Sequence, residues 1–252
     1  MIKKSVDIIL PVYNSKNYII TTVNSVIKQN YKYWNLIIID DCSNDGTYKI
    51  LKNFKKKYSN DKRIFLYRNS KNKGQAFTRN LALKKTKSTF VAFIDSDDFW
   101  EKNKLRNQIH FMIKNQYNFT YTDYKSIKTK NITKIIKTPD YFDYKSFIGN
   151  TSIATSTMIV KKNIINNIFF PLLNLCEDYY FKCQILKKTN AYKCSSVFSY
   201  YRIRTNSLQS SRLKIFFAVW NINKYFNKMN FINNLISIFF ISYNSLKKYG
   251  FR

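Results

Sequence analysis

The stretch FVAFIDSDDFW, at residues 90–100, joins an apolar run to a dense group of carboxylates. The apolar residues Phe90–Ile94 predict a buried strand of a parallel sheet. Asp95, Asp97 and Asp98 follow where that strand ends. Because ligands of open α/β sheets bind just outside the carboxyl ends of the strands, this stretch predicts a site as well as a fold class.

The same pattern occurs twice closer to the N-terminus. Val6–Val12 (VDIILPV) leads into Tyr13 and Asn14, and Leu36–Ile39 leads into Asp40 and Asp41. Ile64–Tyr67 predicts one more strand. Segments with one apolar face separate these runs and predict helices, at 18–27, after Gly46, at 74–85 and at 101–115. The alternation predicts an α/β fold, with a mostly parallel central sheet and helices on both faces.

The second half of the chain is less regular. Its patterns predict strands at Tyr117–Tyr124, Thr155–Val160 and Val197–Ile203, and a helix at Glu177–Lys187. From Leu213 onward we expect two helices, separated near Met229. We therefore expect a catalytic domain at 1–210 and a basic amphipathic helical tail at 211–252.

Composition narrows the choice of function. The chain has 44 Lys and Arg against 14 Asp and Glu, and this excess implies an anionic partner: a nucleic acid, an anionic lipid or a phosphorylated substrate. With only four glycines there is no GxGxxG or P-loop motif. One histidine and four scattered cysteines argue against a zinc site or a histidine-based triad, and favour reduced thiols in a cytoplasmic protein.

Seven of the fourteen acids form three tight groups, and each group has a structural alternative. Asp95, Asp97 and Asp98 offer the oxygen ligands that Mg²⁺ and Mn²⁺ prefer, or they form a turn that caps a helix. The pair at 40–41 can accept hydrogen bonds from a base or ribose, or it can begin a turn. The pair at 177–178 can supply a general base, or it complements the dipole of the helix that it begins.

Several motifs, in order and spacing, resemble the inverting glycosyltransferases of family two, which have the GT-A fold. The resemblance covers roughly residues 5 to 210. The motifs are ILPVYN at 9–14, LIIIDDCSNDGT at 36–47, NKG at 72–74, RN at 79–80, FIDSDDFW at 93–100, STM at 156–158, CED at 176–178 and YRIR at 201–204. Cys42 stands where this family usually has glycine.

The resemblance implies a role for each matching residue. Asp178 corresponds to the catalytic base. Asp98 is implied as the ligand of a divalent Mn²⁺ or Mg²⁺, with Asp97 near the ribose or the metal. Implied nucleotide-sugar contacts are Pro11, Tyr13, Asn14, Asp40, Asp41, Arg79 and Asp97, and possible acceptor or diphosphate contacts are Glu177, Arg202 and Arg204.

We therefore expect a glycosyltransferase that moves a sugar, by resemblance from a UDP-sugar, onto a glycan or lipid-linked acceptor in bacterial surface-polysaccharide synthesis. The aromatic and basic tail predicts either peripheral contact with an anionic membrane, on the inner face of the cytoplasmic membrane, or packing of its aromatic residues on the catalytic domain. One alternative is a polyprenyl-phosphate sugar transferase of the same fold. Another is a nucleic-acid-binding protein, but the chain shows no RNP, zinc-finger or helix-turn-helix motif.

Overall fold

The computed structural model describes residues 4–128, 131–195, 199–203 and 212–249. The strands are β1 (Val6–Val12), β2 (Trp34–Asp40), β3 (Ile64–Arg68), β4 (Phe90–Phe93), β5 (Phe99–Trp100), β6 (Phe119–Tyr121), β7 (Tyr124–Lys128), β8 (Asn131–Ile136), β9 (Tyr141–Phe142), β10 (Ile159–Lys161), β11 (Ala191–Lys193) and β12 (Ser199–Arg202). The α-helices are α1 (Ile19–Ile27), α2 (Thr47–Lys57), α3 (Gln75–Lys85), α4 (Lys104–Lys114), α5 (Tyr144–Ile148), α6 (Glu177–Leu186), α7 (Arg212–Asn221) and α8 (Phe231–Tyr249).

The large sheet has the strand order β3-β2-β1-β4-β10-β6-β11-β9. Its first four strands are parallel, and β10 runs antiparallel to both of its neighbours. A smaller sheet has the strand order β5-β12-β7-β8. Its strand β5 comes directly after the DSDD motif. The predicted α/β fold with a mostly parallel sheet is confirmed.

Alternate side chains of the parallel strands belong to two separate hydrophobic cores, one on each face of the sheet. Ile9 and Phe93 belong to one core with side chains of α3 and α6, whereas Ile8 and Ala92 belong to the other with side chains of α1, α2 and α4. A strand that is buried on both faces has no polar alternation, which explains why runs such as VDIILPV are apolar almost throughout. The helices therefore cover both faces of the sheet, as predicted.

Two predictions of strands in the second half were only partly right. Tyr117–Tyr124 is not one strand but contributes β6 to the large sheet and the start of β7 to the small one. Thr155–Thr157 forms a turn of 3-10 helix, and the strand begins only at Ile159. The Thr157 hydroxyl donates to the Ala154 carbonyl at 2.6 Å, a local bond that competes with strand pairing.

The two tail helices pack on the rest of the chain through a few apolar residues. Val219, Ile222 and Ile238 join the core that contains α3 and α6. Between α7 and α8, Ile222–Phe226 forms a π-helical segment. Within the described ranges, no helix combines the length and the apolar character needed to cross a bilayer.

Candidate active site

Three loops meet at the carboxyl ends of adjacent parallel strands. Because β1 lies between β2 and β4, the loops that follow these strands are neighbours. The amide of Asn14 donates to Ser43 Oγ at 3.0 Å, and the hydroxyls of Ser15 and Ser96 lie 2.5 Å apart. These bonds tie the first loop to the second and to the third, as the sequence pattern predicted.

Asp41 is buried and holds the loop that leads into α3. Its Oδ1 accepts from Asn69 Nδ2 at 2.7 Å and from the Lys73 amide at 2.9 Å, and its Oδ2 accepts from the Gly74 amide at 2.8 Å. Gly74 has φ +86°, a conformation that a residue with a Cβ adopts only with strain. The carboxylate of Asp41 thus fixes the backbone beside the nucleotide site that the resemblance implies.

The rest of the second loop is built around a buried Asp40. Its Oδ2 accepts from the Ser43 amide at 3.1 Å and forms an ion pair with Arg68 Nε at 3.2 Å. Cys42, between Asp41 and Ser43, has φ +61°, a conformation that glycine adopts without strain. In the first loop, Asn14 also has a positive φ, of +45°.

The residues predicted from the ILPVYN motif differ in their access to solvent. Pro11 is buried within β1, while Tyr13 projects from the strand end with 44% of its surface exposed. Asn14 is half-buried and accepts from the Asn44 amide at 3.0 Å. Tyr13 is therefore the member of this motif with an exposed face available for stacking.

In the third loop, Asp98 is buried and Asp95 and Asp97 are half-exposed. Asp98 Oδ2 accepts from Ser156 Oγ at 2.6 Å, and Oδ1 accepts from the Arg202 amide at 3.0 Å. Burial, reinforced by the charges of Asp97 and Asp95, raises the pKa of Asp98 well above its ordinary value. The geometry gives Asp98 a supporting position beneath the loop, with its two neighbouring carboxylates closer to solvent.

Of the two arginines predicted from the YRIR motif, Arg202 lies within the described residues and the other lies outside them. Arg202 connects β12 to the acidic loop through two hydrogen bonds. Its Nε donates to the Asp97 carbonyl at 3.0 Å, and its backbone amide donates to Asp98 Oδ1. Its guanidinium lies 4.9 Å from the ring centre of Tyr18. Arg204 lies outside the described residues.

Arg79 joins two acidic groups that are far apart in sequence. One guanidinium nitrogen lies 2.6 Å from Asp95 Oδ1, and the other lies 2.7 Å from Glu177 Oε1. Arg79 is only 3% exposed and its guanidinium lies 5.2 Å from the ring centre of Phe170. This bridge brings the DSDD loop and the start of α6 to one place.

Asp178 lies in the first turn of α6, directly after Cys176 with φ +59° and Glu177. Its Oδ2 accepts from Thr155 Oγ1 at 2.9 Å and forms an ion pair with Lys182 Nζ at 2.7 Å. Lys182 Nζ also donates to the Ile153 carbonyl at 2.7 Å. Asp178 is therefore oriented by a hydroxyl on one side and a nearly buried ammonium group on the other.

The two carboxyls at the start of α6 have opposite pKa shifts. Burial raises the pKa of Asp178, but the positive charges of Lys182 and Arg79 outweigh burial and hold that pKa well below its usual range. For Glu177, burial raises the pKa to about 7, against the opposing charge of Arg79 and with the added repulsion of Asp178. Asp178 is consequently the carboxylate that stays ionised across neutral pH.

Sequence reasoning missed several polar side chains that shape this site. Lys182 could have been found, because it lies four residues after Asp178 on one helical face. Thr155 was hidden by the expectation of a strand at that place, and Ser156 was noted only as part of the STM motif, without a role. Asn69, which binds Asp41 and also lies 3.1 Å from Thr78 Oγ1, carries no local signal that sets it apart from the other asparagines.

The family model described as "Glycosyl transferase family 2" matches residues 7–169. A similar curated protein is the UDP-Glc:alpha-D-GlcNAc-diphosphoundecaprenol beta-1,3-glucosyltransferase WfgD of Escherichia coli. It is 36% identical over 220 residues, which cover 86% of this chain and 84% of WfgD. The chain therefore belongs to glycosyl transferase family 2 and is a glycosyltransferase.

Solved structures show the same fold. The Staphylococcus aureus TarS fragment 1–349 in complex with UDP superposes with a TM-score of 0.72 at 21% identity, over 98% of this chain and 72% of that one. The mannosyltransferase PcManGT of Pyrobaculum calidifontis, in complex with GDP-Man and Mn²⁺, gives a TM-score of 0.71 at 14% identity, over 93% and 70% of the two chains. The fold is that of the GT-A glycosyltransferases.

Proposed function

We propose that this enzyme moves a sugar from a UDP-sugar to a hydroxyl of a lipid-linked or glycan acceptor in bacterial surface-polysaccharide synthesis. The observation that carries the proposal is the Arg79 bridge, because it sets the acidic loop of the donor side beside the Asp178 carboxylate. The donor of WfgD, a UDP-glucose transferase, and the UDP bound in the TarS complex support UDP as the nucleotide.

The donor side would hold the nucleotide at the ends of β1 and β2. Tyr13 offers an exposed aromatic face for the base, and the Asp41 loop supplies a rigid edge of backbone and carboxylate oxygens. Rigid polar groups fix a ligand's orientation at little ordering cost, which is the usual design of small-molecule sites.

The acidic loop fits a divalent cation. Its donors are all carboxylate oxygens, the ligand type that Mn²⁺ and Mg²⁺ prefer. In the described ranges no three His, Cys, Asp or Glu residues form a metal-binding cluster. Mg²⁺ and Mn²⁺ sites of transferases often take one or two protein carboxylates, with substrate phosphates and water completing the set. We propose Asp97 as the main ligand with Asp95 beside it, because Asp98 is buried beneath them. A bound ion would offset the negative charge on the departing diphosphate.

Asp178 is the proposed general base. It is ionised because Lys182 and Arg79 lower its pKa, and Thr155 and Lys182 hold one of its oxygens in place. The carboxylate takes the proton from the acceptor hydroxyl while that oxygen attacks C1 of the sugar from the face opposite the diphosphate. A single displacement inverts the anomeric centre and passes through an oxocarbenium-like transition state.

We propose that residues 1–210 form the catalytic unit and that the enzyme works at the inner face of the cytoplasmic membrane. The support is the acceptor of WfgD, a sugar linked to diphosphoundecaprenol, because such a lipid resides in a bilayer. A polyprenyl-phosphate sugar transferase of the same fold would consume the lipid phosphate itself instead of a sugar hydroxyl.

The test is a screen of UDP-, GDP- and dTDP-sugars for binding and hydrolysis, with and without Mn²⁺. We expect Mn²⁺-enhanced binding and slow hydrolysis of a UDP-sugar. Positive donors are then offered with either polyprenyl phosphate or a polyprenyl-diphosphate sugar as the acceptor. Transfer to the sugar-bearing lipid supports the proposal, and transfer to polyprenyl phosphate supports the alternative. Failure to bind any nucleotide sugar would contradict both.

A further inference from the structure

Helix α8 differs from an ordinary surface helix because most of its large apolar side chains are exposed to solvent. An ordinary amphipathic helix buries its apolar face, as α4 does with Leu105, Ile109 and Met112. In α8, the buried positions include the polar side chains of Asn234 and Ser237. Most of its aromatic and aliphatic side chains are exposed instead, although Ile238 is buried and Ile241 packs against the core. The exposed ones are Phe231, Ile232, Leu235, Ile236, Phe239, Phe240 and Tyr243.

The polar face of α8 is bonded to the catalytic unit, so the orientation of the helix is specific. Ser237 Oγ donates to the Ile148 carbonyl at 2.6 Å, and Asn244 Nδ2 donates to the Gly149 carbonyl at 2.9 Å. Lys248 Nζ donates to Asn150 Oδ1 at 2.8 Å. Rotating the helix to bury its aromatic side chains would break these bonds and leave two partly buried carbonyls without their donors, at a cost for each of them.

The outward apolar face is too large to be incidental. Phe231, Ile232 and Phe239 each expose 67% of their surface, and exposed apolar side chains continue into α7 and the π-helical segment. Scattered single apolar residues are normal on soluble proteins, but a contiguous apolar patch marks a contact with another apolar phase. We call this surface the outward face: Phe231, Ile232, Leu235, Ile236 and Phe239.

We propose that the outward face docks on an anionic lipid bilayer, with α8 lying in the plane of the membrane. This proposal rests on the proposed function, which places the acceptor in a bilayer. Charge favours lipid over a second copy of the chain. Residues 212–252 contain no acid, and Lys214, Lys224, Lys228 and Lys247 are exposed, so two such faces would repel each other. Anionic headgroups attract these lysines, and aromatic side chains suit the interfacial region.

The tail also contacts the helix that carries the proposed base. Tyr179 Oη and Asn223 Oδ1 lie 2.8 Å apart, and the rings of Tyr180 and Phe226 meet edge to face at 5.3 Å. Both tyrosines follow directly after Asp178. A membrane that binds the tail is therefore connected through two residue pairs to the start of α6, on the acceptor side of the site. This placement suits an acceptor whose reacting sugar stands just above the headgroups.

The experiment compares two triple variants of the full chain in sedimentation with vesicles. One carries F231Q, I232Q and F239Q on the outward face. The matched control carries Y33Q, F65Q and I113Q, which replace exposed apolar side chains of the catalytic unit. Because these side chains are exposed, both triples are expected to fold. Vesicles contain either phosphatidylcholine alone or phosphatidylcholine with phosphatidylglycerol.

We expect the wild-type chain and the control to bind phosphatidylglycerol vesicles, and the outward-face triple to bind at least about tenfold more weakly. Equal binding by both triples would overturn the proposal. A second result would also overturn it: the wild-type chain does not bind vesicles, and light scattering shows that it is a dimer which the outward-face triple dissociates. UDP-sugar binding in solution is measured in parallel. If the wild-type chain binds the UDP-sugar but does not bind vesicles, only the membrane inference is contradicted. If the wild-type chain does not bind the UDP-sugar, the proposed function is contradicted instead.

Discussion

Asp41 and Asp98, on the donor side of the site, are held differently from Glu177 and Asp178 on the acceptor side. On the donor side, Asp41 and Asp98 accept hydrogen bonds from amides, an asparagine and a serine. On the acceptor side, Glu177 and Asp178 form ion pairs with Arg79 and Lys182. Neutral donors fix the shape of a loop, whereas a cation also decides whether a carboxyl is charged.

The difference shows most clearly in the pKa shifts of Asp98 and Asp178. Burial raises the pKa of Asp98, while nearby cations lower that of Asp178 despite burial. Environments that push the pKa values of neighbouring acids apart are characteristic of sites that assign them separate tasks. Donor-side substitutions should therefore alter binding and folding, and acceptor-side substitutions should alter turnover and its pH dependence.

The largest expected effect belongs to D178N. The amide keeps the shape of the side chain but cannot take a proton, so we expect kcat to fall by roughly 10²- to 10⁴-fold. Sugar transfer from the donor identified in the screen is the measurement. The matched control is D140N, at a highly exposed acid whose carboxylate pairs with Lys193. Near-normal kcat in D178N would remove Asp178 from the role of base.

Next in size is R79M, which removes the bridge between the two sides. It leaves Glu177 buried without its cation, and we expect the free energy of unfolding to fall by about 3–5 kcal/mol. Urea denaturation measures this change. R106M, at an exposed arginine of α4, is the control. If both variants unfold at the same urea concentration, the bridge does not hold the two sides together.

K182M should shift the pH profile without removing the base. The Lys182 charge lowers the pKa of Asp178, so its loss raises that pKa and moves the acid limb of kcat/KM to higher pH. The lowered pKa of Asp178 also affects stability. A carboxyl whose pKa is lower in the folded state stabilises the fold at pH values above its unfolded-state pKa, and this contribution is lost as the pH falls. In K182M that loss should be smaller. K188M, near the C-terminal end of the same helix, should leave the profile unchanged, and an unchanged profile in K182M too would contradict the account.

The smallest effect is expected from C42G on the donor side. Cys42 adopts φ +61°, which glycine adopts without strain, so the substitution should stabilise the fold by about 1 kcal/mol or less. Thermal unfolding monitored by circular dichroism detects a change of this size. Donor binding should be retained, since the Cys42 side chain forms only a 3.7 Å sulfur contact with the Ser70 carbonyl. A clear loss of stability would mean that the thiol packs better than its backbone suggests.

The donor side could be predicted well from the sequence because its signals are local. Each of the runs Val6–Val12, Leu36–Ile39 and Phe90–Ile94 is buried on both faces and is followed at once by polar residues. The topology of parallel strands then brings those residues together without further information. The observed strands differ from these runs by no more than two residues at an end.

The acceptor side depends on contacts that sequence patterns do not encode. The Arg79 bridge joins residues 98 positions apart in the chain. The turn at 155–157 resembles a strand in composition, and it forms because Thr157 bonds to the Ala154 carbonyl. In the tail, the two helices could be expected, but the choice of face could not: hydrogen bonds from Ser237 and Asn244 to the catalytic unit turn the apolar side of α8 outward.

The most direct test of the central claim is calorimetric titration of the UDP-sugar, with and without Mn²⁺, into the wild-type chain, D97N and D178N. The account predicts that D178N binds the donor with the wild-type Kd and the same enhancement by Mn²⁺, while D97N loses that enhancement. It would be contradicted if D97N kept the full effect of Mn²⁺, or if D178N lost donor binding, since the two carboxylates would then not divide donor binding and proton transfer between them.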